Sequence, residues 1–299
     1  MHVNFDIPFI PIVYLNGKFL PVNQAQVSVL DRGFLFGDGV YEVIPVYGGY
    51  PFRLAEHLRR LNHSLTSIRC DNPLNSKQWS DLFIDLVTRN GGGDLSVYLQ
   101  VTRGVGLNRD HAFPVGVLPS VFMMATPLLP LPEEKRRKGV SAILVDDIRW
   151  KHCDLKVISL LPNVLFRQQA IDVAAFDAIF VRDGQVTEGA VSNVFVVHDG
   201  KVVTPSKGPL LLPGITRDLV LELAIAENIP AREGMLTMED LYNADEIWLT
   251  SSTKEIVPVV ILDSAPVGNG LPGTHYRRMM DLYQDFKKKA RLSQLEDKQ

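Results

Sequence analysis

Short apolar runs along the chain are separated by dipeptides that favour tight turns, and this pattern predicts β-hairpins. The turn dipeptides are Asn16-Gly17, Gly48-Gly49, Asp183-Gly184 and Asp199-Gly200. Strands are predicted over residues 12–15, 18–22, 40–47, 178–181, 185–187, 194–198, 201–204 and 246–249. We expect the four strands between residues 178 and 204 to form one antiparallel meander.

Other stretches repeat apolar residues at the three- and four-residue spacing of an amphipathic helix. The clearest stripe consists of Leu54, Leu58, Leu61, Leu65 and Ile68. Further helices are predicted over residues 76–90, 162–175, 216–228, 237–243 and about 275–289. Because hairpins and helices are segregated along the chain, the pattern indicates an α+β fold rather than a doubly wound parallel sheet.

A proline-rich segment, residues 126–132, precedes the basic cluster Lys135-Arg136-Arg137-Lys138. The prolines favour an extended connector, and the charged cluster favours contact with solvent. We therefore predict a small N-terminal α+β domain over residues 1–125, an interdomain linker over 126–138 and a C-terminal domain over 139–299.

Composition narrows the functional class. A net charge of -3 gives no electrostatic surface for nucleic acid or an anionic membrane, so neither is expected as a partner. The seven histidines and two cysteines show no metal-ligand spacing, and no metal site is expected. The chain has only two cysteines, its start lacks the basic region of a signal peptide, and no apolar run is long enough to span a membrane. These features predict a cytoplasmic protein.

Lys156 lies in the apolar run Leu155-Lys156-Val157-Ile158-Ser159-Leu160-Leu161. Apolar neighbours reduce the hydration of an ammonium group and favour the neutral amine, which can form a Schiff base with an aldehyde. Alternatively, Lys156 extends its ammonium group to water from an ordinary strand. Glu188 follows 32 residues later, at the end of a hairpin.

Two segments could bind an anion. Gly214 precedes a predicted helix, and the backbone N–H groups of Ile215 and Thr216 would face a bound phosphate. The alternative is a plain helix start with Thr216 as its N-cap. The hydroxyl groups of residues 250–253 follow a strand end, where they could equally cap a turn.

A third set of residues could bind a carboxylate. Strand alternation places Tyr41 on the face opposite Glu42, where simple packing is the alternative explanation. Arg109 and His111 lie in a polar loop, and an arginine fork can bind a carboxylate through two parallel hydrogen bonds. A solvated surface loop is the alternative for these two residues.

The order and spacing of these segments resemble the fold-type IV pyridoxal-phosphate enzymes, over about residues 12–262. That family includes branched-chain aminotransferases, aminodeoxychorismate lyases and D-amino acid aminotransferases. The shared segments are Asp31-Arg32-Gly33, Phe36 to Glu42, Glu56-His57 through Arg60-Leu61, Lys156, Asn163-Val164-Leu165, Glu188-Gly189, Ser192 to Phe195, Gly214 to Arg217 and Thr250-Ser251-Ser252. Val101 to Gly104 followed by Arg109 to Pro114, and Asp146 to Trp150 before Cys153 to Lys156, are most similar to the D-amino acid aminotransferase subgroup.

The resemblance implies a two-domain fold, with an N-terminal α/β sandwich-like domain and a C-terminal β-rich, pseudo-barrel domain with helices. It implies pyridoxal 5'-phosphate as cofactor, held by Lys156 as an internal aldimine, with Glu188 beside the pyridine nitrogen. The other implied cofactor-binding residues are Arg60, Ser192, Asn193, Leu212, Gly214, Ile215, Thr216, Ser251 and Ser252. Nothing local separates Arg59 from Arg60. Two departures are mild: Ser252 replaces an expected threonine, and Pro213 precedes the phosphate glycine.

The resemblance also implies a substrate site and a reaction. Tyr41, Arg109 and His111 would hold the substrate α-carboxylate, with the Arg109–His111 loop coming from the partner subunit of a homodimer. The implied reaction is the ping-pong conversion of D-alanine and 2-oxoglutarate to pyruvate and D-glutamate. Alternatives are a branched-chain L-amino acid aminotransferase or a lyase of the same fold, and a non-catalytic protein that stores or senses the cofactor.

Overall fold

The computed structural model describes residues 11–296. The start of the chain, which is predicted not to be a signal peptide, therefore lies mostly outside the described residues. The chain divides into two compact units. The first unit runs to Leu128 and includes the separate segment Lys156–Ser159; the second contains Leu129–Leu155 and the chain from Leu160 onward. Within the described range, no helix is long and apolar enough to cross a membrane. The predicted boundaries at residues 126–138 stay a prediction.

The first unit contains one antiparallel sheet in the order β2-β1-β6-β5-β3-β4. Its strands are β1 (Ile12–Leu15), β2 (Lys18–Pro21), β3 (Gly39–Tyr47), β4 (Tyr50–Pro51), β5 (Leu95–Thr102) and β6 (Ser120–Pro127). The hairpin at Asn16-Gly17 is confirmed, and both of its turn residues have positive φ. Strands β5 and β6 were not predicted.

The described part of this unit contains three α-helices, α1 (Arg32–Phe36), α2 (Leu54–Ser67) and α3 (Ser76–Arg89), and one turn of 3₁₀ helix at Val22–Gln24. The predicted apolar stripe of α2 is confirmed, because Leu58, Leu61 and Leu65 are buried and the helix packs against β3. Helix α3 begins with a capping box between Asn75 and Gln78. Helix α1 was not predicted, since five residues are too few to show a helical repeat.

The second unit contains a nine-stranded mixed sheet whose path is β12-β11-β10-β13-β14-β7-β8-β9, with β15 paired to β14. Its strands are β7 (Val140–Asp146), β8 (Asp177–Arg182), β9 (Gln185–Gly189), β10 (Asn193–His198), β11 (Lys201–Pro205), β12 (Ala231–Gly234), β13 (Glu246–Ser251), β14 (Glu255–Leu262) and β15 (Ala265–Pro266). The predicted four-strand meander is wrong. The hairpins β8–β9 and β10–β11 are present, but β13, β14 and β7 lie between them in the sheet.

The helices of this unit are α4 (Glu133–Lys138), α5 (Leu161–Asp172), α6 (Ile215–Ala226), α7 (Met238–Tyr242) and α8 (Thr274–Glu296). The charged part of the predicted linker is therefore helical: Glu133 and Glu134 occupy the first turn of α4, and the basic cluster occupies its last turn. The α+β class is confirmed.

Candidate active site

The segment that carries Lys156 runs beside β3, although it lies far from that strand in sequence. The Tyr41 backbone N–H donates to the Lys156 carbonyl at 2.9 Å, and the Ile158 N–H donates to the Gly39 carbonyl at 3.1 Å. The Lys156 N–H donates to the hydroxyl of Ser64 at 3.2 Å. Lys156 is half-buried, and its Nζ lies 4.2 Å from the centroid of the Tyr41 ring. The Lys156 amine thus faces an aromatic ring. The alternative interpretation placed Lys156 on an ordinary strand, and its segment is not one.

Glu42 lies on the face of β3 opposite Tyr41, as the alternation predicts, and it is fully buried. It accepts hydrogen bonds from Arg60 Nε and Nη2, both at 2.8 Å, and contacts His57 Nδ1 at 2.8 Å. Burial raises the pKa of Glu42, but the charge and hydrogen bonds of Arg60, with those of His57, outweigh it and lower the pKa to about 2. Burial lowers the pKa of His57, and the Glu42 carboxylate only partly opposes this.

The structure separates the two neighbouring arginines that local sequence could not. The Arg60 side chain is 7% exposed, whereas that of Arg59 is 76% exposed and pairs with Glu56 on the helix surface. Only Arg60 belongs to the buried group with Glu42. Its phosphate-binding role stays a prediction.

Arg109 and His111 lie in the long connection between β5 and β6, and both are exposed. The guanidinium of Arg109 lies 5.1 Å from the centroid of the Phe36 ring, and the imidazole of His111 lies 5.2 Å from it. The loop is thus held against α1 within its own chain. Carboxylate binding by these side chains stays a prediction.

In the second unit, Glu188 lies buried in β9. Its Oε1 accepts a hydrogen bond from Arg149. Its Oε2 accepts bonds from the Leu212 N–H at 3.0 Å and from Asn193 Nδ2 at 3.3 Å. Three of the residues predicted to bind the cofactor therefore meet at one carboxylate.

Sequence reasoning gave no role to Arg149 or to Asp147. Asp147 accepts hydrogen bonds from Arg149 and from Thr187, and pairs with Arg182 at 3.1 Å. Burial opposes the charge of Arg149, but its hydrogen bond to Asp147 and the charge of Glu188 outweigh this and raise its pKa above the usual value. Charged residues in alternate positions directly after the apolar strand β7 were the signal that could have identified this pair.

The N-terminus of α6 has a backbone suited to an anion. The helix begins at Ile215, and Gly214 occupies the N-cap position without a side-chain hydrogen bond. Thr216 is therefore the second helical residue, and its proposed role as N-cap is wrong. A Cβ on Gly214 would lie 2.0 Å from the Asn193 Oδ1, so only glycine fits beside that amide.

Strand β13, which packs against α6, carries the hydroxyl groups of Thr250 and Ser251. The strand ends at Ser251, and Ser252 follows in the turn to β14. The buried hydroxyl of Thr250 has no hydrogen-bond partner among the described residues. The uncapped start of α6, with Gly214 at its N-cap, fits a phosphate group. The hydroxyl of Ser192 instead donates to Asp177 at 2.8 Å, and its predicted cofactor contact stays a prediction.

Comparison with known proteins decides the family. Residues 39–262 match the family model for amino-transferase class IV. The chain belongs to this family. It is 41% identical to a D-alanine aminotransferase of Bacillus licheniformis, across 87% of this chain and 92% of that protein. It is 37% identical to a D-alanine aminotransferase of Staphylococcus haemolyticus, across 92% of this chain and 97% of that one.

Solved aminotransferases share the fold. A branched-chain amino acid aminotransferase of Escherichia coli aligns with a TM-score of 0.85 and 27% identity, covering 91% of this chain and 93% of that one. The branched-chain aminotransferase of Thermoproteus uzoniensis with norvaline aligns with a TM-score of 0.83 and 27% identity, covering 92% of this chain and 94% of that one. The two-domain, fold-type IV architecture is thereby confirmed, and the protein is a transaminase.

Proposed function

We propose that this class IV aminotransferase uses pyridoxal 5'-phosphate to transfer an amino group from D-alanine to 2-oxoglutarate, giving pyruvate and D-glutamate. The observation that carries the proposal is the position of Lys156, whose amine lies over the Tyr41 ring while its backbone is bonded to β3. A fixed backbone and a half-buried amine suit a lysine that must return to one atom in each half-reaction. The D-alanine aminotransferase relatives support the substrate.

When bound, pyridoxal phosphate supplies an aldehyde carbon for an amine and a protonated pyridine ring that withdraws electrons. Lys156 would hold the aldehyde in the resting enzyme, and its amine, freed when the substrate amine takes its place, would accept the proton from the substrate Cα. Glu188 supplies the carboxylate for the ring N–H. Arg149, Asn193 and the Leu212 N–H, which donate to Glu188, hold that carboxylate in one orientation.

The phosphate group requires donors rather than acceptors. We assign it to the N–H groups of Ile215 and Thr216, to the Thr216, Ser251 and Ser252 hydroxyls, and to Arg60. The uncapped start of α6 supports the first assignment, and the retained hydroxyl of Ser252 supplies what threonine would at that position. Pro213 lacks an N–H group but leaves those of Ile215 and Thr216 available.

We assign the substrate α-carboxylate to Tyr41 and to Arg109 and His111 of the neighbouring subunit in a homodimer. Large exposed apolar side chains near that loop support a self-association surface: Phe34 is 73%, Leu107 90%, Val115 99% and Leu118 85% exposed. We also assign the enzyme to the cytoplasm, which the two free, buried cysteines support.

A second candidate is a branched-chain aminotransferase acting on L-amino acids, which the likeness to solved branched-chain enzymes favours. A coupled assay with 2-oxoglutarate separates the two. Pyruvate formed from D-alanine, with no oxo acid formed from L-leucine, L-valine or L-alanine, is the expected result. Turnover of L-leucine without turnover of D-alanine would overturn the assignment, and no turnover of either by cofactor-loaded protein would favour a storage protein.

A further inference from the structure

We propose that Arg32 is a positioning residue for substrate binding, because it fixes the backbone of the loop that carries Arg109 and His111. The proposal rests on the proposed function of that loop as a carboxylate site. It also gives a role to the Asp31-Arg32-Gly33 segment, which nothing in the reaction itself requires.

The guanidinium of Arg32 bonds three consecutive carbonyl groups of the loop. Its Nη1 donates to the Asp110 carbonyl at 2.6 Å and to the Ala112 carbonyl at 3.2 Å, and its Nη2 donates to the His111 carbonyl at 3.2 Å. Arg32 is only 5% exposed, although the loop it holds is exposed. The planar guanidinium has five N–H donors on three nitrogens and so bonds these three carbonyls and Asp38 together, whereas a lysine has three donors on one nitrogen, too few for the four acceptors.

Arg32 is itself fixed by Asp38. Its Nε donates to Asp38 Oδ2 at 2.8 Å, and Arg103 donates to the same carboxylate from Nε at 2.8 Å and from Nη2 at 3.0 Å. Arg103 also donates to the Ile68 and Arg69 carbonyls, both at 2.8 Å. The Asp38 carboxylate therefore links Arg32, which anchors the loop, to the C-terminal end of α2.

Helix α1 provides the platform for this arrangement. The buried carboxylate of Asp31 accepts hydrogen bonds from the Gly33 N–H at 2.8 Å, from Thr102 at 3.0 Å and from Ser120 at 2.7 Å, which ties the helix start to the ends of β5 and β6. At the other end of α1, the centroid of the Phe36 ring lies 4.8 Å from the guanidinium carbon of Arg32 and 5.1 Å from that of Arg109. The helix thus holds both the loop backbone and the stacked Arg109 side chain.

Such an anchor acts on binding rather than on chemistry. A loop held in place loses little conformational freedom when it binds a carboxylate, whereas a released loop must be ordered by the substrate. Both substrates present an α-carboxylate to the same site, so release of the loop should weaken both. The turnover step at Lys156 lies outside this effect.

Arg32→Lys is the direct test, because it keeps the charge and removes the fork. The apparent KM values for D-alanine and for 2-oxoglutarate should both rise about tenfold, with kcat changed less than about threefold. The matched control is Arg136→Lys, since Arg136 also joins a carboxylate, Glu255, to a backbone carbonyl but is not among the residues assigned to the site. Its KM values should equal those of wild type.

Two further measurements separate positioning from a general structural role. In an Arg109→Ala background, Arg32→Lys should add less than about a twofold change, because only the weaker contribution of His111 is left for the loop position to affect. Hydrogen exchange of the amides of residues 105–113 should be faster in Arg32→Lys than in wild type, with no substrate present. If Arg32→Lys does not fold, Asp38→Asn weakens the same anchor while keeping Arg32, and the same changes are expected.

Wild-type loop exchange together with wild-type KM values would overturn the proposal, as would a fall in kcat at constant KM. Full additivity with Arg109→Ala would also overturn it. If wild type lacks D-amino acid turnover while the variant still shows faster loop exchange, the proposed function fails and the anchor stands.

Discussion

Arg60 and Glu42 form a two-bond ion pair in the interior of the first unit, with both nitrogen–oxygen distances at 2.8 Å. Their side chains are 7% and 0% exposed. Removing the charge of one partner costs more stability than the pair itself contributes, because the other partner stays buried without that opposite charge. Glu42 therefore holds the orientation of Arg60, the arginine that we assign to the cofactor phosphate.

Glu42→Gln should lower the free energy of unfolding by about 3 kcal/mol, since the amide keeps the shape but loses the charge. It should also weaken retention of pyridoxal phosphate. Urea unfolding and cofactor dialysis measure the two effects. Glu56→Gln, on the helix that carries Arg60, is the control, because Glu56 makes only partly exposed pairs. Equal stability in the two variants would contradict a role for the Glu42 pair.

The same pair sets a dependence on pH. The pKa of Glu42 falls from 4.5 to about 2 on folding, so its stabilisation is fully present above pH 4.5 and is lost as the pH falls toward 2. Wild type should therefore lose more stability over this window than Glu42→Gln does. Parallel stability curves for the two proteins in acid would contradict the assigned pKa.

Lys156→Ala should abolish transamination, because it removes both the attachment point and the proton carrier. Borohydride reduction of the wild-type holoenzyme should label the peptide that contains Lys156. Lys151→Ala, which removes a nearby exposed lysine, should be labelled and active like wild type. Labelling at Lys151, Lys201 or Lys207 instead would show that the lysine is wrongly assigned.

Glu188→Gln should slow the first half-reaction by on the order of a hundredfold or more, while cofactor affinity changes much less. The physical reason is that a neutral amide stabilises a protonated pyridine ring less than a carboxylate does. Single-turnover absorbance with D-alanine measures the rate, and Glu239→Gln, an exposed change in the same unit, is the control. Wild-type rates in Glu188→Gln would remove Glu188 from the mechanism.

Arg109→Ala should raise the apparent KM for D-alanine and for 2-oxoglutarate together, by about a hundredfold, because both α-carboxylates use one site. His111→Ala should raise both constants less. Unchanged constants for both substrates in Arg109→Ala would contradict the assignment to D-amino acids.

Mixed subunits test whether the loop serves the neighbouring site. In a heterodimer of Arg109→Ala with Lys156→Ala chains, the site with an intact Lys156 would receive an intact Arg109 from the partner, and the low wild-type KM values should return at that site. If the KM values of verified heterodimers stay as high as those of Arg109→Ala, the loop acts within its own subunit.

Features with a local cause could be predicted from the sequence. The stripe of α2 and the alternation that separates Tyr41 from Glu42 both follow from neighbouring residues. Strand β5 has a similar alternation, since Leu95, Val97, Leu99 and Val101 are buried and the residues between them are less buried. Strand β5 was nevertheless not predicted from the sequence. The meander failed because local turns fix hairpins but not the strands that separate them in a sheet.

Contacts between distant segments could not be predicted. Arg32 bonds a loop 78 to 80 residues further along the chain, and Arg149 bonds Glu188 across 39 residues. Neither pair leaves a local spacing signal. The family resemblance supplied the candidate residues, whereas the partners that orient Glu188 and Arg60 came only from the structure.

The most direct test of the central claim is the absorbance spectrum of the purified holoenzyme before and after each alanine enantiomer is added. We expect D-alanine to remove the band of the lysine-bound cofactor, 2-oxoglutarate to restore it, and L-alanine to leave it unchanged. A band that L-alanine removes and D-alanine does not, or a band that neither enantiomer removes, would show that the enzyme is not a D-alanine aminotransferase.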